Sequence, residues 1–192
     1  MEDVPWSAGH WTNPPVHVVE HGRDLLVTAA EGSDAWRTTS YGFIHDSEHA
    51  LLAPFRNNSA VEIEFTAVFS EQFDQAGIFV RVSDERWIKA GVEYADGNCQ
   101  LGAVVTDQMS DWSLAQAPDW IGKRVLIRLS RSGDAITVRA KAGDGELRLV
   151  RVIPFPPELS AEAGPFANSP TRAGLTVPFH TWRITEPDAS LH

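Results

Sequence analysis

At 192 residues, 43% of them apolar, the chain is long enough for one substantial core and short for two ordinary domains, so a single domain over residues 1–192 is expected. A formal charge of −10, with 16 scattered Lys and Arg residues, opposes a phosphate backbone and excludes nucleic acid as an expected partner. No apolar run reaches the roughly 20 residues that cross a bilayer, Met1-Glu2-Asp3-Val4-Pro5 lacks a basic segment followed by an apolar one, and the single cysteine, Cys99, has no companion for a disulfide or a metal cluster. A cytoplasmic protein without membrane contact is the expectation.

Along the chain, short β-rich runs punctuated by Gly, Asp, Asn and Pro follow one another, with no long amphipathic helix between them. They cover residues 25–28, 36–43, 61–69, 77–82, 87–94, 101–106, 125–130, 135–140, 147–153 and 173–184. This pattern predicts an all-β sandwich of two antiparallel sheets. Asp96-Gly97-Asn98, Arg131-Ser132-Gly133-Asp134 and Gly143-Asp144-Gly145 supply residues that tolerate positive φ, and each predicts a hairpin. Val61, Ile63, Phe65, Ala67 and Phe69, and again Val125, Ile127 and Leu129, have the period-two spacing of faces packed between sheets. Residues 154–172, rich in Pro, Ala and Ser, read as a long surface loop with a helical turn at 157–161.

The stretch from 75 to 94 carries the most chemistry. Successive strand residues point to opposite faces, so Gln75, Arg81, Trp87, Lys89 and Glu93 share one surface if the two runs pair. Such a surface suits a polar, hydroxyl-rich ligand. The same residues also fit a half-exposed sheet in which Glu93 pairs with Lys89 or Arg81 and Trp87 fills the edge of the core.

Several segments then carry a resemblance. Trp11-Thr12-Asn13-Pro14-Pro15, Asp34-Ala35-Trp36-Arg37, Tyr41-Gly42-Phe43-Ile44-His45-Asp46, Phe73-Asp74-Gln75-Ala76-Gly77, Trp87-Ile88-Lys89-Ala90-Gly91-Val92-Glu93 and Ser110-Asp111-Trp112-Ser113 occur in order. From about Trp11 to Ile184 the chain resembles the uncharacterised domain family that includes the fungal regulator of enolase. The resemblance implies a concanavalin A-like lectin/glucanase jelly roll. That fold serves lectins, glycosidases and non-catalytic modules alike. Members of the family often carry a cysteine before a Ser-Pro pair, where this chain has Asn168-Ser169-Pro170.

Glycosidases of this fold commonly place Glu-x-Asp-x-Glu on one strand, whereas Glu62-Ile63-Glu64-Phe65-Thr66 ends in a residue that cannot ionise and reads as an outer solvated face. Glu93 and Asp111 are the candidate catalytic carboxylates. A carboxylate accepts sugar hydroxyls, and the indoles of Trp36, Trp87 and Trp112 offer apolar plates to a pyranose ring. Arg37, Arg81 and Lys89 would suit a phosphate or carboxylate on the ligand. His45 and His49 would need a helix between them to ligate a metal, and Asp46-Ser47-Glu48 reads as a turn, so no metal site is expected. Ser110 and Ser113 lack a nucleophile elbow and are expected to hold a loop that orients Trp112. With no phosphate-cradling glycine loop, no cofactor is expected. The candidate ligand-binding set is therefore Trp36, Arg37, Gln75, Arg81, Trp87, Lys89, Glu93, Asp111 and Trp112. Three functions remain open: a non-catalytic carbohydrate-binding protein for a saccharide or sugar phosphate, a regulatory factor with a protein partner, and a glycan-active enzyme using Glu93 with Asp111.

Overall fold

The computed structural model describes residues 2–191. Its first strands are β1 (Glu2–Asp3), β2 (His10–Trp11), β3 (His17–His21), β4 (Asp24–Thr28), β5 (Ala35–Arg37), β6 (Ile44–Asp46), β7 (His49–Pro54) and β8 (Ser59–Thr66). There follow β9 (Gln75–Ser83), β10 (Arg86–Ala95), β11 (Asn98–Asp107), β12 (Met109–Gln116), β13 (Arg124–Ser132), β14 (Ala135–Ala142), β15 (Arg148–Pro154), β16 (Glu162–Asn168) and β17 (Thr176–Thr185). One sheet, here the back sheet, runs β15-β14-β13-β8-β17-β4-β3, with β1 added on β17; the front sheet runs β12-β11-β10-β9-β16-β7-β2. Every pairing between these strands is antiparallel, and the two sheets form the sandwich that the period-two patterns predict.

The core lies between the sheets. Val61, Ile63, Phe65, Val125, Ile127 and Leu129 of the back sheet meet Ile78, Val80, Ile88, Ala90 and Val92 of the front sheet, all buried. Burial of such side chains stabilises the fold by about 1.5–3 kcal/mol each before entropy is counted. Glu62 and Glu64 point the other way, Glu62 to Arg128 at 2.6 Å and Glu64 to the Thr181 hydroxyl at 3.3 Å, as the outer-face reading predicts. The three hairpins form where the turn residues place them, with positive φ at Asp96, Gly97, Gly133 and Gly143.

Three segments differ from expectation. Residues 162–168 are β16, a buried strand between β9 and β7, and not part of a surface loop. Its sequence hides this, because Pro165 lacks an N–H and Gly164 has no side chain. The structure accommodates both by interrupting the β7 ladder between Ala163↔Ala53 and Phe166↔Ala50, while β9 pairs along the whole strand. Met109–Gln116 is an edge strand, so Ser110 to Ser113 lie in regular structure and not in a loop. The run 36–43 is strand only to Arg37. Thr38, Ser40 and Gly42 all have positive φ, and the chain reverses before β6 pairs with β5.

The β5–β6 hairpin packs on the outer face of the front sheet, where Trp36, Ala35, Leu52, Phe79, Trp87, Val104 and Phe166 form a second, smaller apolar cluster. That cluster positions the site. Close approach of backbones is required beneath it: a Cβ on Gly164 would collide with the Leu51 carbonyl and sit 2.9 Å from the Trp182 ring. Gly164→Ala is therefore expected to destabilise the protein by about 2–3 kcal/mol, visible as a lower denaturant midpoint.

Candidate functional site

Side-chain alternation sends Ile88, Ala90 and Val92 of β10 into the core and leaves Trp87, Lys89, Gly91 and Glu93 on the outer face. Cross-strand register then sets Gln75 opposite Glu93, Val104 opposite Lys89 and Trp112 opposite Val104. Gly91 separates Lys89 from Glu93 and is flanked in register by Gly77 and Gly102. No side chain of these three strands thus stands between the two charged groups.

Lys89 is 5% exposed, and its ammonium is bound by Asp34 Oδ1 at 2.7 Å and Gln75 Oε1 at 2.8 Å. Asp34 Oδ1 also accepts the Ala35 N–H at 2.8 Å and Gln75 Nε2 at 3.3 Å, and Gln75 Nε2 donates to the Phe73 carbonyl at 3.1 Å. The network ties the entry of β5 to β9 and β10. Glu93 differs: it is 9% exposed, and its Oε1 has no hydrogen-bond partner among the described residues. Desolvation pushes its carboxyl up to about 7; Lys89 pulls it down, and Asp34 and Asp96 add to the rise.

These groups floor a cavity of about 350 Å³, at the lower end of the range for small-ligand sites. Its walls are aromatic. Trp36, Tyr41, Phe43 and His45 come from the hairpin, Trp112 from β12 and Phe73 from the turn before β9, while Pro170 and Thr171 close one side. Trp36 meets the edges of Tyr41 and Trp112 at centroid distances of 5.6 and 5.8 Å, and its indole N–H donates to the Thr39 carbonyl at 3.0 Å. The Pro170–Thr171 rim is held from below. Arg172 grips the fully buried Asp74 carboxylate at 2.7 to 3.1 Å, and the Thr171 hydroxyl donates to the Gln72 carbonyl.

Of the residues singled out in the sequence, Trp36, Gln75, Lys89, Glu93 and Trp112 converge on this cavity. Four do not. Arg37 faces Glu85 at 3.0 Å and Asp46 at 3.9 Å, and Arg81 pairs with Asp84 in a separate pocket that Trp87 also lines, stacked on Phe79. Asp111 sits opposite Val105, so it shares the inner face with Ile88 and reaches across the sandwich edge to Arg151 at 2.9 Å. Asp111 is thus paired away from Glu93 and does not line the cavity that holds it. Ser110 accepts the Arg37 N–H at 3.0 Å and so fastens the hairpin to the edge strand. Both ring nitrogens of His49 are engaged, with the Ala30 N–H and the Asn13 carbonyl.

Asp34, Tyr41, Phe43, His45, Phe73, Pro170 and Thr171 also line the cavity and lie outside the candidate ligand-binding set. The resembling segments around Asp34, Tyr41 and Phe73 were the available signal. Among the described residues no group of His, Cys, Asp and Glu is arranged to hold a metal, and no helix is long and apolar enough to cross a membrane.

The Glu93 environment has a measurable consequence. Its folded value lies above its ordinary value of 4.5, so its contribution to stability is complete below that value and is lost as pH rises through about 7. Going from pH 5 to pH 8 is expected to remove roughly 2–3 kcal/mol through this group. Glu93→Gln should flatten the dependence and be the more stable form at pH 8, as denaturant titrations at both pH values would reveal.

Comparison with known proteins places the fold. The model of the family described as "Protein of unknown function (DUF1349)" matches residues 11–187. "Regulation of enolase protein 1" of Saccharomyces cerevisiae is 34% identical over 185 residues, 94% of this chain and 91% of that protein. A crystal structure described as that of a functionally unknown protein from Saccharomyces cerevisiae superposes with a TM-score of 0.89 at 32% identity, covering 97% of this chain and all of that one. At the level of fold alone, the carbohydrate binding module CBM66 from Bacillus subtilis matches with a TM-score of 0.60 at 12% identity, over 93% of this chain and 96% of the module. The GH43 BlXynB protein from Bacillus licheniformis matches with a TM-score of 0.71 at 13% identity, over 96% of this chain but 38% of that protein.

Proposed function

We propose that this chain, which belongs to the family of unknown function DUF1349, binds a small, uncharged, hydroxyl-rich ligand of saccharide type in the aromatic-walled cavity. The observation that carries the reading is the Glu93 carboxyl: buried, unpartnered and at the floor of a cavity walled by indole and phenyl faces. A hydroxyl donating to that carboxyl removes the cost of leaving a buried acceptor unmade, about 1–3 kcal/mol. The ring face of the same ligand would stack on Trp112 or Tyr41.

Charge argues for an uncharged ligand over a sugar phosphate. Lys89 is neutralised by Asp34, and the two arginines that would have served a phosphate are committed to Glu85, Asp46 and Asp84 outside the cavity. Glycoside cleavage by paired carboxylates finds no support, since Asp111 is on the other face and Asp34 is held by Lys89, Gln75 and the Ala35 N–H.

A second reading, a regulatory factor with a protein partner, is favoured by the name of the yeast relative together with exposed Tyr41, Phe43 and Ile44 on the hairpin and Met109 near the same edge. A thermal-shift screen separates the two. Neutral mono- and disaccharides are expected to raise the unfolding temperature in a concentration-dependent way and sugar phosphates to do so less, with Trp112→Ala and Glu93→Ala both removing the response. If no neutral sugar or polyol in the panel stabilises a normally folded protein, the cavity reading fails and the partner reading stands.

A further inference from the structure

We infer that the cavity is an acid–base site that interconverts the anomers of a reducing sugar, with Glu93 as the base at the anomeric hydroxyl and Lys89 as the proton donor to the ring oxygen. This goes beyond ligand binding and rests on it: the bound sugar must be the one proposed above, in its cyclic hemiacetal form.

Three observations carry the inference. First, the two groups line one cavity. Lys89 Nζ reaches Gln75 Oε1 at 2.8 Å, and Gln75 is the residue directly across from Glu93. Glycines at 77, 91 and 102 leave the ground between them clear, and both charged residues line the main cavity as well as the small cleft above Gly91 and Gly102. Second, their hydrogen-bonding capacities are complementary. Asp34 and Gln75 take two of the three ammonium protons and leave one for the cavity, while Glu93 Oε1 is an acceptor without a donor. Third, the floor lacks what other sugar chemistry needs. Glycoside hydrolysis requires a second free carboxylate, whereas Asp34 is bound to Lys89, and phosphate transfer requires a cation whose charge is not already balanced, whereas that of Lys89 is balanced by Asp34. Opening and closing a hemiacetal requires one base, one donor and no co-reactant.

The step balances within the site. Glu93 takes the proton from the anomeric hydroxyl; the O1–C1 bond becomes a carbonyl as the C1–O5 bond breaks, and O5 receives the electron pair and a proton from Lys89. Rotation about C1–C2 presents the other carbonyl face. Reclosure returns the O5 proton to Lys89 and the Glu93 proton to O1, giving the other anomer. Asp34 and Gln75 act as positioning residues by fixing the ammonium. The groups around Glu93 are Lys89 on its own strand, Asp34 ahead of β5, Asp96 in the β10–β11 turn, His45 on β6, and the uncharged Gln75 and Gln100 on the flanking strands. Burial of the carboxyl, opposed by Lys89 and reinforced by Asp34 and Asp96, leaves Glu93 able to take up and release a proton near neutrality, as a base used in both directions needs.

The test is polarimetry on freshly dissolved α-D-glucose, α-D-galactose and α-D-xylose with the full chain, in parallel with sugar-induced stabilisation of the same samples. The expected result is faster mutarotation than in buffer for at least one sugar, with kcat/KM rising as pH increases through about 7 as Glu93 ionises. Glu93→Gln keeps one acceptor, so it should still be stabilised by that sugar while kcat falls about 10²-fold or more. Lys89→Met should lose activity as well, and Lys89→Arg should recover part of it. Stabilisation by the sugars without acceleration would overturn this inference and leave ligand binding intact. Acceleration that survives in Glu93→Gln, or that does not depend on pH near 7, would overturn the assignment of the base. Neither stabilisation nor acceleration by any sugar would overturn both readings.

Discussion

The site depends on the buried pairing of Lys89 with Asp34. Lys89 belongs to a central strand of the front sheet and Asp34 to the segment that enters the β5–β6 hairpin, so the 2.7 Å contact fixes the hairpin over the sheet. A buried ion pair adds little net stability, because desolvation of both charges offsets most of the attraction. Its effect is on placement. Gln75 completes the arrangement by accepting from Lys89 and donating to Asp34, which satisfies most of the polar atoms that the pair would otherwise leave unmade. With the hairpin entry fixed, Trp36 is buried against Phe79, Trp87 and Val104, and the aromatic walls follow from there.

The walls and floor have different origins. The floor is made by strand alternation and register, which are rigid consequences of the sandwich; the walls come from a hairpin, a turn and the rim at Pro170–Thr171. Loops are costly to hold in one shape, and this chain fixes them with buried polar contacts. Asp74, fully buried, accepts from Arg172 and from the backbone N–H groups of Ser70 and Glu71, and Ser110 accepts from Arg37. A scaffold of this kind lets function sit in connecting segments without loosening the core.

That division explains what was legible in the sequence. Gln75, Lys89 and Glu93 could be placed together because a period of two and one short connection determine their register. Trp112 was found with them, but the same alternation, applied to its neighbour, assigns Asp111 to the opposite face; the chemistry of the Ser-Asp-Trp-Ser segment obscured its geometry. Arg37 and Arg81 have the composition of anion ligands, and only the fold reveals that Glu85, Asp46 and Asp84 are their partners. Tyr41, Phe43 and His45 reach the cavity because positive φ at Thr38, Ser40 and Gly42 turns the chain back, which a strand reading of 36–43 cannot anticipate. Strand β16 was hidden for a related reason. Its small residues and Pro165 suit a loop in isolation, yet they are what a strand needs when a neighbouring backbone approaches as closely as Leu51 does.

Fold likeness to carbohydrate-active proteins does not decide what this cavity does, and its charges argue more directly. The formal charge of −10 would repel an anionic ligand at long range, and the floor offers no spare cation to reverse that at contact. An organic cation would gain from Glu93 and the aromatic faces, but it would have to share the floor with the Lys89 ammonium, which already acts on the Glu93 carboxyl. An uncharged hydroxylated molecule avoids both penalties. It would donate to Glu93 and accept from Lys89 at once, and the apolar walls that raise the Glu93 carboxyl toward neutrality would strengthen each of those hydrogen bonds by excluding water.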